Sequence, residues 1–484
     1  MAATTTQKSL MDLKTDIKID LVDGCKAALD LLAEQLETGN CYRIVRVELG
    51  YFHIDQRGPT FFDELYVDTE SASRLSEDEV TLLFQGIVCC LPNLKTLVIM
   101  SYFRNEAMSL PVAALEILFR RANHLQILLL HQVNLEGSAE ECRIMAASLA
   151  RHASLKRVNI HCDESSTTAT SRALNLDPLV CALAGLSTVD YLSLDHVNIT
   201  EASIHSLAGS QSLRDVSLYN MPQIRPWLPI LIDSLSRKDH RLKWNIRGFR
   251  IRSCGLQDNE GYLMAKMLMK NTSLRNVVFY IDSSWNDYGS SLAEALAKNT
   301  TLQRLEFGIG GNTISSAGMT SDMDRENVTT KHGLAASQIA SALAVHPYSS
   351  LQHLSLSLTD ANDNEIYDTY TQPMEDMLET NYVLESLLLQ GSKNKCIPSL
   401  SPRAIFLLSL NHPSKLGRSQ LFQDVMRYEA KMKCKAGDTK EEHSCDKNVL
   451  DPWVDAVIRS NDQEDLLYYI LRTNPQMITS SFRN

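Results

Sequence analysis

A short apolar motif recurs along the chain, and it restricts the fold more than any other feature of the sequence. The motif is L-x-x-L-x-L, in which other apolar residues replace leucine at some positions. Its copies usually lie about 28–34 residues apart, a spacing typical of chains that stack one small structural unit per repeat. About ten copies are present, beginning at Leu94, Leu125, Leu155, Val189, Leu213, Ile246, Leu274, Leu302, Leu351 and Leu384.

Each copy predicts a short strand, and the residues that follow predict a helix. Successive side chains of a strand point to opposite faces, so the two apolar residues of L-x-L face inward and the residue between them faces outward. After the strand the apolar residues change to helical spacing. Ser76 with Glu79 and Ser138 with Glu141 have the spacing of a capping box, which predicts helices that begin directly after the two serines.

The fullest copy of the motif runs Ile246-x-x-Phe249-x-Ile251-x-x-Cys254-x-Leu256. This pattern resembles leucine-rich repeats of the ribonuclease-inhibitor-like class, and the resemblance covers roughly residues 41–390. It implies an α/β solenoid with a curved parallel sheet on the concave face and helices on the convex face. A doubly wound α/β enzyme also alternates strands and helices, but it does not repeat this motif behind lead-ins such as those at Asn271 and Asn299.

Three segments follow from the extent of the repeats. Residues 1–40 are predicted to form an N-terminal helical cap, since a solenoid needs an atypical unit at each end. Residues 41–395 form the repeats, with a polar, mobile insertion at 313–331. Residues 396–484 form a C-terminal helical cap with a charged loop at 429–447. Parts of this cap, 406–422 and 453–475, resemble the tail of diatom leucine-rich-repeat families, a resemblance that implies no biochemical function.

Composition restricts the partners and the compartment. The formal net charge of −11 argues against a nucleic-acid partner, which usually meets a basic excess. No apolar run approaches the roughly 18 residues of a membrane span, and the first residues lack the apolar core of a signal peptide. Eleven cysteines without regular spacing do not suggest a disulfide framework. We therefore expect a cytoplasmic, monomeric protein with no membrane partner.

No motif predicts catalysis, a cofactor or a metal. The segment Gly308-Ile-Gly310 has threonine at 313, where G-x-G-x-x-G needs its last glycine, and it lacks the helix that follows directly in a phosphate-binding loop. The acidic segment 360–371 has glutamate where a calcium loop needs glycine. Cys434, His443 and Cys445 share a charged segment without a C-x-x-C pair to anchor zinc. No nucleophile signature such as G-x-S-x-G is present. We therefore expect that the protein is not an enzyme and that it binds no cofactor and no metal.

The outward strand positions predict where a partner binds. They are the third, fifth and seventh residues of each repeat, and in the middle repeats they combine arginine, tyrosine and aspartate, residue types that suit protein interfaces. In the first two repeats they are apolar, which indicates either an interaction patch or a surface covered by the N-terminal segment. The predicted partner-binding residues are Arg157, Asn159, Tyr191, Asp195, Asp215, Tyr219, Arg250, Arg252, Tyr280 and Arg304.

These observations favour a non-catalytic protein-binding scaffold that uses the concave face. The first alternative is a GTPase-activating protein, because the Ran GTPase activators belong to the same repeat class. Those proteins usually carry a strongly acidic tail, and this C-terminus has none. A second alternative is the sensor module of an immune-type receptor. No phosphate-binding loop is present, so the ATPase of such a receptor would lie on another chain.

Overall fold

The computed structural model describes most of the chain between residues 76 and 391. The gaps in this span are 92, 101–107, 164–173, 237–245, 257, 282–287, 310–335, 347–348, 359–370 and 382. Outside the span it describes 17–20, 30, 46–50, 64–68, 404, 408 and 411. The predicted insertion at 313–331 and almost all of the predicted cap at 396–484, with its loop at 429–447, lie outside the described residues.

All ten strands predicted from the motif are present, and they are parallel to their neighbours. They are accompanied by four further strands, three near the N-terminus and one at Met108–Pro111. The strands are β1 Ile17–Asp20, β2 Arg46–Gly50, β3 Glu64–Asp68, β4 Thr96–Met100, β5 Met108–Pro111, β6 Ile127–Glu136, β7 Arg157–Cys162, β8 Tyr191–Asp195, β9 Asp215–Tyr219, β10 Gly248–Arg252, β11 Asn276–Ile281, β12 Arg304–Ile309, β13 His353–Leu358 and β14 Ser386–Gly391.

Helices separate the strands of the repeats, as predicted. They are α1 Glu77–Cys90, α2 Val112–Arg121, α3 Ala139–Leu149, α4 Asp177–Gly185, α5 Glu201–Gly209, α6 Leu228–Ser236, α7 Asp258–Lys270, α8 Tyr288–Lys298, α9 at 336–345 and α10 Gln372–Thr380, with a 3-10 helix at Pro222–Trp227. Both predicted capping boxes form at the starts of α1 and α3. Among the described residues, no helix has the length and apolarity that crossing a membrane requires.

The chain divides into two compact units, residues 1–282 and 283–484. In the first unit the sheet order is β1-β3-β2-β4-β6-β7-β8-β9-β10-β11, and β5 pairs with β6. Strand β3 therefore lies between β1 and β2 instead of following β2. Strand β1 lies within residues 1–40, where a helical cap is predicted; only 17–20 and 30 of this segment are described, so the cap stays a prediction. In the second unit β13 pairs with β12 and β14.

The core of the first unit lies between the sheet and the helices. Leu97, Leu128 and Val158 align in register on β4, β6 and β7, and each is at most 1% exposed. The same row continues through β8 and β9 to Phe249 of β10, which is 0% exposed. Consecutive helices pack against one another above these side chains. This arrangement is the α/β leucine-rich-repeat fold expected from the motif.

Polar side chains just before the motif link each repeat to the preceding one. Asn271 accepts hydrogen bonds at Oδ1 from the backbone N–H groups of Ser273 (2.8 Å) and Leu274 (2.7 Å). Its Nδ2 donates to the carbonyl of Leu235 in the previous repeat at 2.7 Å. Asn381 makes the equivalent bonds in the second unit. These lead-in residues satisfy backbone groups that the turn would otherwise leave unpaired.

Asp177 links two consecutive helices, and its protonation is expected to affect stability. Burial opposes the charged form, but hydrogen bonds from Ser203 and Thr200 outweigh it and hold the pKa of this carboxyl below 3.8. We expect Asp177→Asn to lower the free energy of unfolding by about 1 kcal/mol at pH 7. A depressed pKa stabilises the fold above the unfolded value and stops doing so as pH falls through the folded value. Urea titrations of both proteins should therefore converge below pH 3.8; a pH-independent difference would contradict this role.

Candidate functional site

The sheet face that points away from the helices, called the outer face below, carries the predicted partner-binding residues. Register places Arg157 beside Tyr191, Tyr191 beside Asp215, and Asp215 beside Gly248 on consecutive strands. At the other ends of the strands, Asp195 aligns with Tyr219, and Tyr219 with Arg252. The structure therefore brings together the predicted residues of the first unit, whereas Arg304 is exposed in the second unit.

Two serines lie in the middle of this face, in register with Asn159 on one side and Arg250 on the other. Ser193 and Ser217 point outward yet are 3% and 0% exposed, because larger neighbours lie over them. Arg250 reaches Ser217 with a distance of 3.4 Å from Nη1 to Oγ. At Gly248 a Cβ atom would lie 1.9 Å from Oδ1 of Asp215, so the aspartate occupies the space above the glycine. The small side chain of Ser217 and the missing side chain of Gly248 thus leave room for Arg250 and Asp215, respectively.

Two arginines stack on tyrosines of the neighbouring strand. The guanidinium of Arg157 lies 5.7 Å from the ring centre of Tyr191, and that of Arg252 lies 4.1 Å from the ring centre of Tyr280. Arg252 also donates to the hydroxyl of Tyr280. Tyr280 is only 8% exposed, so most of this predicted contact residue is covered. Burial raises the pKa of Tyr219, which keeps its hydroxyl protonated as a hydrogen-bond donor.

The apolar outward residues of the first repeats are largely covered. Val98 of β4 is 1% exposed, and Ile127 and Leu129 of β6 are half-buried. Single half-buried apolar side chains are common on protein surfaces and do not mark an interface. These positions therefore give little support to an apolar interaction patch.

Sequence reasoning missed a row of basic residues directly before the strands. The basic edge, as we call it, consists of exposed residues that precede β4, β7, β9, β10 and β11: Lys95, Lys156, Arg214, Arg247 and Arg275. Backbone hydrogen bonds link Arg247 to Arg214 and Arg275 to Arg247, so the three arginines lie on consecutive strands. None of the five forms an ion pair with another described residue. The sequence could have revealed this row, because each of the five basic residues is the second residue of a motif copy.

The other end of the strands carries a second group, in which the predicted residue Asp195 lies beside three histidines that were not predicted as site residues: His131, His161 and His196. The ring centres of His131 and His161 are 4.4 Å apart in an edge-to-face arrangement. Asn220 donates from Nδ2 to Oδ1 of Asp195 at 2.8 Å. Burial lowers the pKa of His161; Asp195 opposes this effect, and the two neighbouring histidines add to it. Because its pKa is lowered from 6.5, the imidazole of His161 is mainly neutral at pH 7.

Comparisons with known proteins add no functional assignment to this site. No family model matches the sequence, and no curated protein is detectably similar to it. Among solved structures, a chain of the crystal structure of the TLR13-ssRNA13 complex is 13% identical, with a TM-score of 0.30. The match covers 66% of this chain and 38% of that chain, so this chain corresponds to well under half of that protein. The ribonuclease-inhibitor-like class and the diatom-like tail stay predictions, and the leucine-rich-repeat fold stands on the strand register and helix layer of the chain itself.

Proposed function

We propose that the protein is a non-catalytic binding scaffold, and that the outer face of β7–β11 binds an acidic segment of a protein partner. The observation that carries the proposal is the basic edge. Five exposed cations directly precede strands of one sheet, and none forms an ion pair with another described residue. Neighbouring parallel strands are about 4.8 Å apart, so Arg214, Arg247 and Arg275 present three positive charges in a row along one edge of the sheet.

Charge complementarity favours an acidic occupant. The whole chain has a formal net charge of −11, so an acidic partner is repelled by most of the surface and attracted to the basic edge. Such a distribution mainly sets orientation and association rate. Asp190 interrupts the positive row before β8, which selects against a uniformly charged partner at that strand.

Aromatic side chains of the outer face are expected to supply contact area. Tyr191 and Tyr219 are half-buried on β8 and β9, and they lie within the same outer face as Arg250. Tyrosine and arginine often dominate interface energetics because they combine apolar area with directional hydrogen bonds. Arg157 is already stacked on Tyr191, which lowers the entropy lost when a partner orders it.

A defined acidic probe tests the proposal without knowledge of the natural partner. Fluorescence anisotropy would be measured with a labelled glutamate-rich peptide, and binding should weaken as salt is raised. The triple variant Arg214→Glu, Arg247→Glu, Arg275→Glu should weaken binding at least about tenfold, since each exposed charge contributes up to about 1 kcal/mol. The matched control is Arg120→Glu, Arg151→Glu, Lys266→Glu, which reverses three exposed charges in or beside the helices.

The outcomes separate the proposal from its rivals. The proposal is supported if the triple variant of the basic edge binds the peptide more weakly and the control triple variant binds it as tightly as the unmodified protein does. Equal loss in both triples, or no binding of the peptide by the natural protein, overturns it. Single-stranded RNA of the same charge is run in parallel. If RNA binds more tightly and at the same residues, the partner is a nucleic acid and not an acidic protein segment. That result would contradict the expectation from the net charge.

The GTPase-activating alternative stays a prediction. Its test is direct: GTP-loaded small GTPases are mixed with the protein, and release of phosphate is followed. Faster hydrolysis that depends on outer-face residues would replace the scaffold proposal by a catalytic effect on a partner.

A further inference from the structure

Three side chains at the carboxyl ends of β7 and β8 surround one point on the outer face. Register pairs His161 of β7 with Asp195, the last residue of β8. His196 follows directly, in a left-handed turn with φ of +52°. The three are 22%, 17% and 18% exposed at the side chain, so solvent reaches the group from one side.

The left-handed turn is a repeated feature of this sheet, not a local distortion. The same position is occupied by Gln132 within β6, by Asn220 after β9 and by Ser253 after β10, with φ between +51° and +54°. In the repeat of β8 this position holds a histidine, whose backbone N–H donates to the carbonyl of Tyr219 at 3.2 Å. The backbone that all these repeats share therefore places an imidazole beside Asp195.

The distances suit a shared ion better than hydrogen bonds. Nε2 of His161 lies 3.7 Å from Oδ2 of Asp195, and Nε2 of His196 lies 3.9 Å from Oδ1. Both distances exceed a normal N–H to oxygen hydrogen bond, which spans about 2.7–3.2 Å. Zinc binds nitrogen and oxygen at about 2.0–2.2 Å, so two ligands of a tetrahedral ion lie about 3.3–3.6 Å apart. One ligand atom from each of the three residues lies within 4.8 Å of the other two, so side-chain rotations would bring the three atoms to that separation.

Neighbouring residues hold the carboxylate and one imidazole in place. Asn220 donates to Oδ1 of Asp195, and the ring of His131 packs against the ring of His161. Such supporting contacts typically orient metal ligands and contribute to affinity. Two imidazoles and one carboxylate favour zinc or a similar first-row transition ion over calcium or magnesium, which prefer oxygen ligands alone.

We propose that His161, Asp195 and His196 form a transition-metal site that leaves a fourth coordination position open on the outer face. This replaces the sequence-based expectation that the chain holds no metal. The site lies at the opposite end of the strands from the basic edge, so it does not depend on the proposed function. The open position is accessible to water or to a donor side chain of a bound molecule.

Cobalt serves as the spectroscopic probe for the test. The full-length protein is freed of metal with a chelator and titrated with Co²⁺ and then Zn²⁺. A four-coordinate site of nitrogen and oxygen ligands gives visible d–d absorption without the near-ultraviolet thiolate charge-transfer band that cysteine sites add. We expect His161→Ala and His196→Ala each to remove one equivalent of this cobalt signal. Zinc, measured by competition, should bind at least about tenfold more weakly in each variant.

The matched control is His205→Ala. His205 also faces a carboxylate, with 3.4 Å between Nε2 and Oε1 of Glu201, but it is exposed on α5 and belongs to no described cluster of three ligands. It should leave the cobalt signal unchanged. Melting temperatures in chelator confirm that each variant folds, and Asp195→Asn serves if a histidine variant does not. Absence of the signal in the natural protein, or its full retention in both histidine variants, overturns the proposal.

Discussion

Replacing Phe249 by aspartate is expected to unfold the first unit, whereas Arg250→Glu on the same strand should leave it folded. Phe249 is 0% exposed and lies in the inner row of the sheet. Loss of a buried phenylalanine side chain alone costs about 3–5 kcal/mol, and a buried charge adds several more. The sum approaches the whole stability of a typical domain, about 5–15 kcal/mol.

Arg250 provides the matched comparison, because it is the next residue of β10 and its side chain lies on the other face. Its reversal should change the free energy of unfolding by less than about 1 kcal/mol. Circular dichroism during urea titration measures both variants. The inner and outer faces would be assigned wrongly if Phe249→Asp unfolded cooperatively at the same urea concentration as the unmodified protein. Loss of folded structure in Arg250→Glu would show the same.

The second large effect is expected at Asn271. Asn271→Ala removes two hydrogen bonds to backbone N–H groups and one to the carbonyl of Leu235. Each partner that is left unpaired and shielded from water costs about 1–3 kcal/mol. We therefore expect a loss of about 3 kcal/mol, which exceeds the effect of most polar-to-alanine changes.

Thr272 is the control for this substitution. It is the next residue, it is exposed, and Thr272→Ala should change stability by less than about 0.5 kcal/mol. The free energies of unfolding come from urea titrations of both variants. Equal small effects at the two positions would mean that the lead-in asparagine does not hold consecutive repeats together.

The fold was predictable where the period of the sequence is strict. The motif L-x-x-L-x-L predicted the ten repeat strands. It also predicted that Phe249 and Ile251 face inward and that Arg250 faces outward. The order of strands β1 to β3 was harder to predict, because β3 inserts between β1 and β2. A strand order that departs from chain order depends on tertiary contacts, which local spacing does not encode.

The candidate site was predictable only in part. Residues at outward positions, such as Arg157 and Tyr191, meet as expected because register between repeats follows from the motif. The covering of Tyr280 by Arg252 depends on side-chain stacking, which alternation does not predict. The approach of His196 to Asp195 depends on a left-handed turn at a residue other than glycine, for which the sequence carries no signal.

Photo-crosslinking tests the central claim, binding at the outer face, most directly. A photoreactive phenylalanine analogue replaces either Tyr191 on the outer face or Tyr262, a 56% exposed residue of α7, and each protein is irradiated with the labelled glutamate-rich peptide. The analogue at position 191 should capture the peptide, and high salt or the basic-edge triple variant should abolish the adduct. The analogue at position 262 should capture none. An adduct at 262 without one at 191 would contradict the assignment of the outer face as the binding surface.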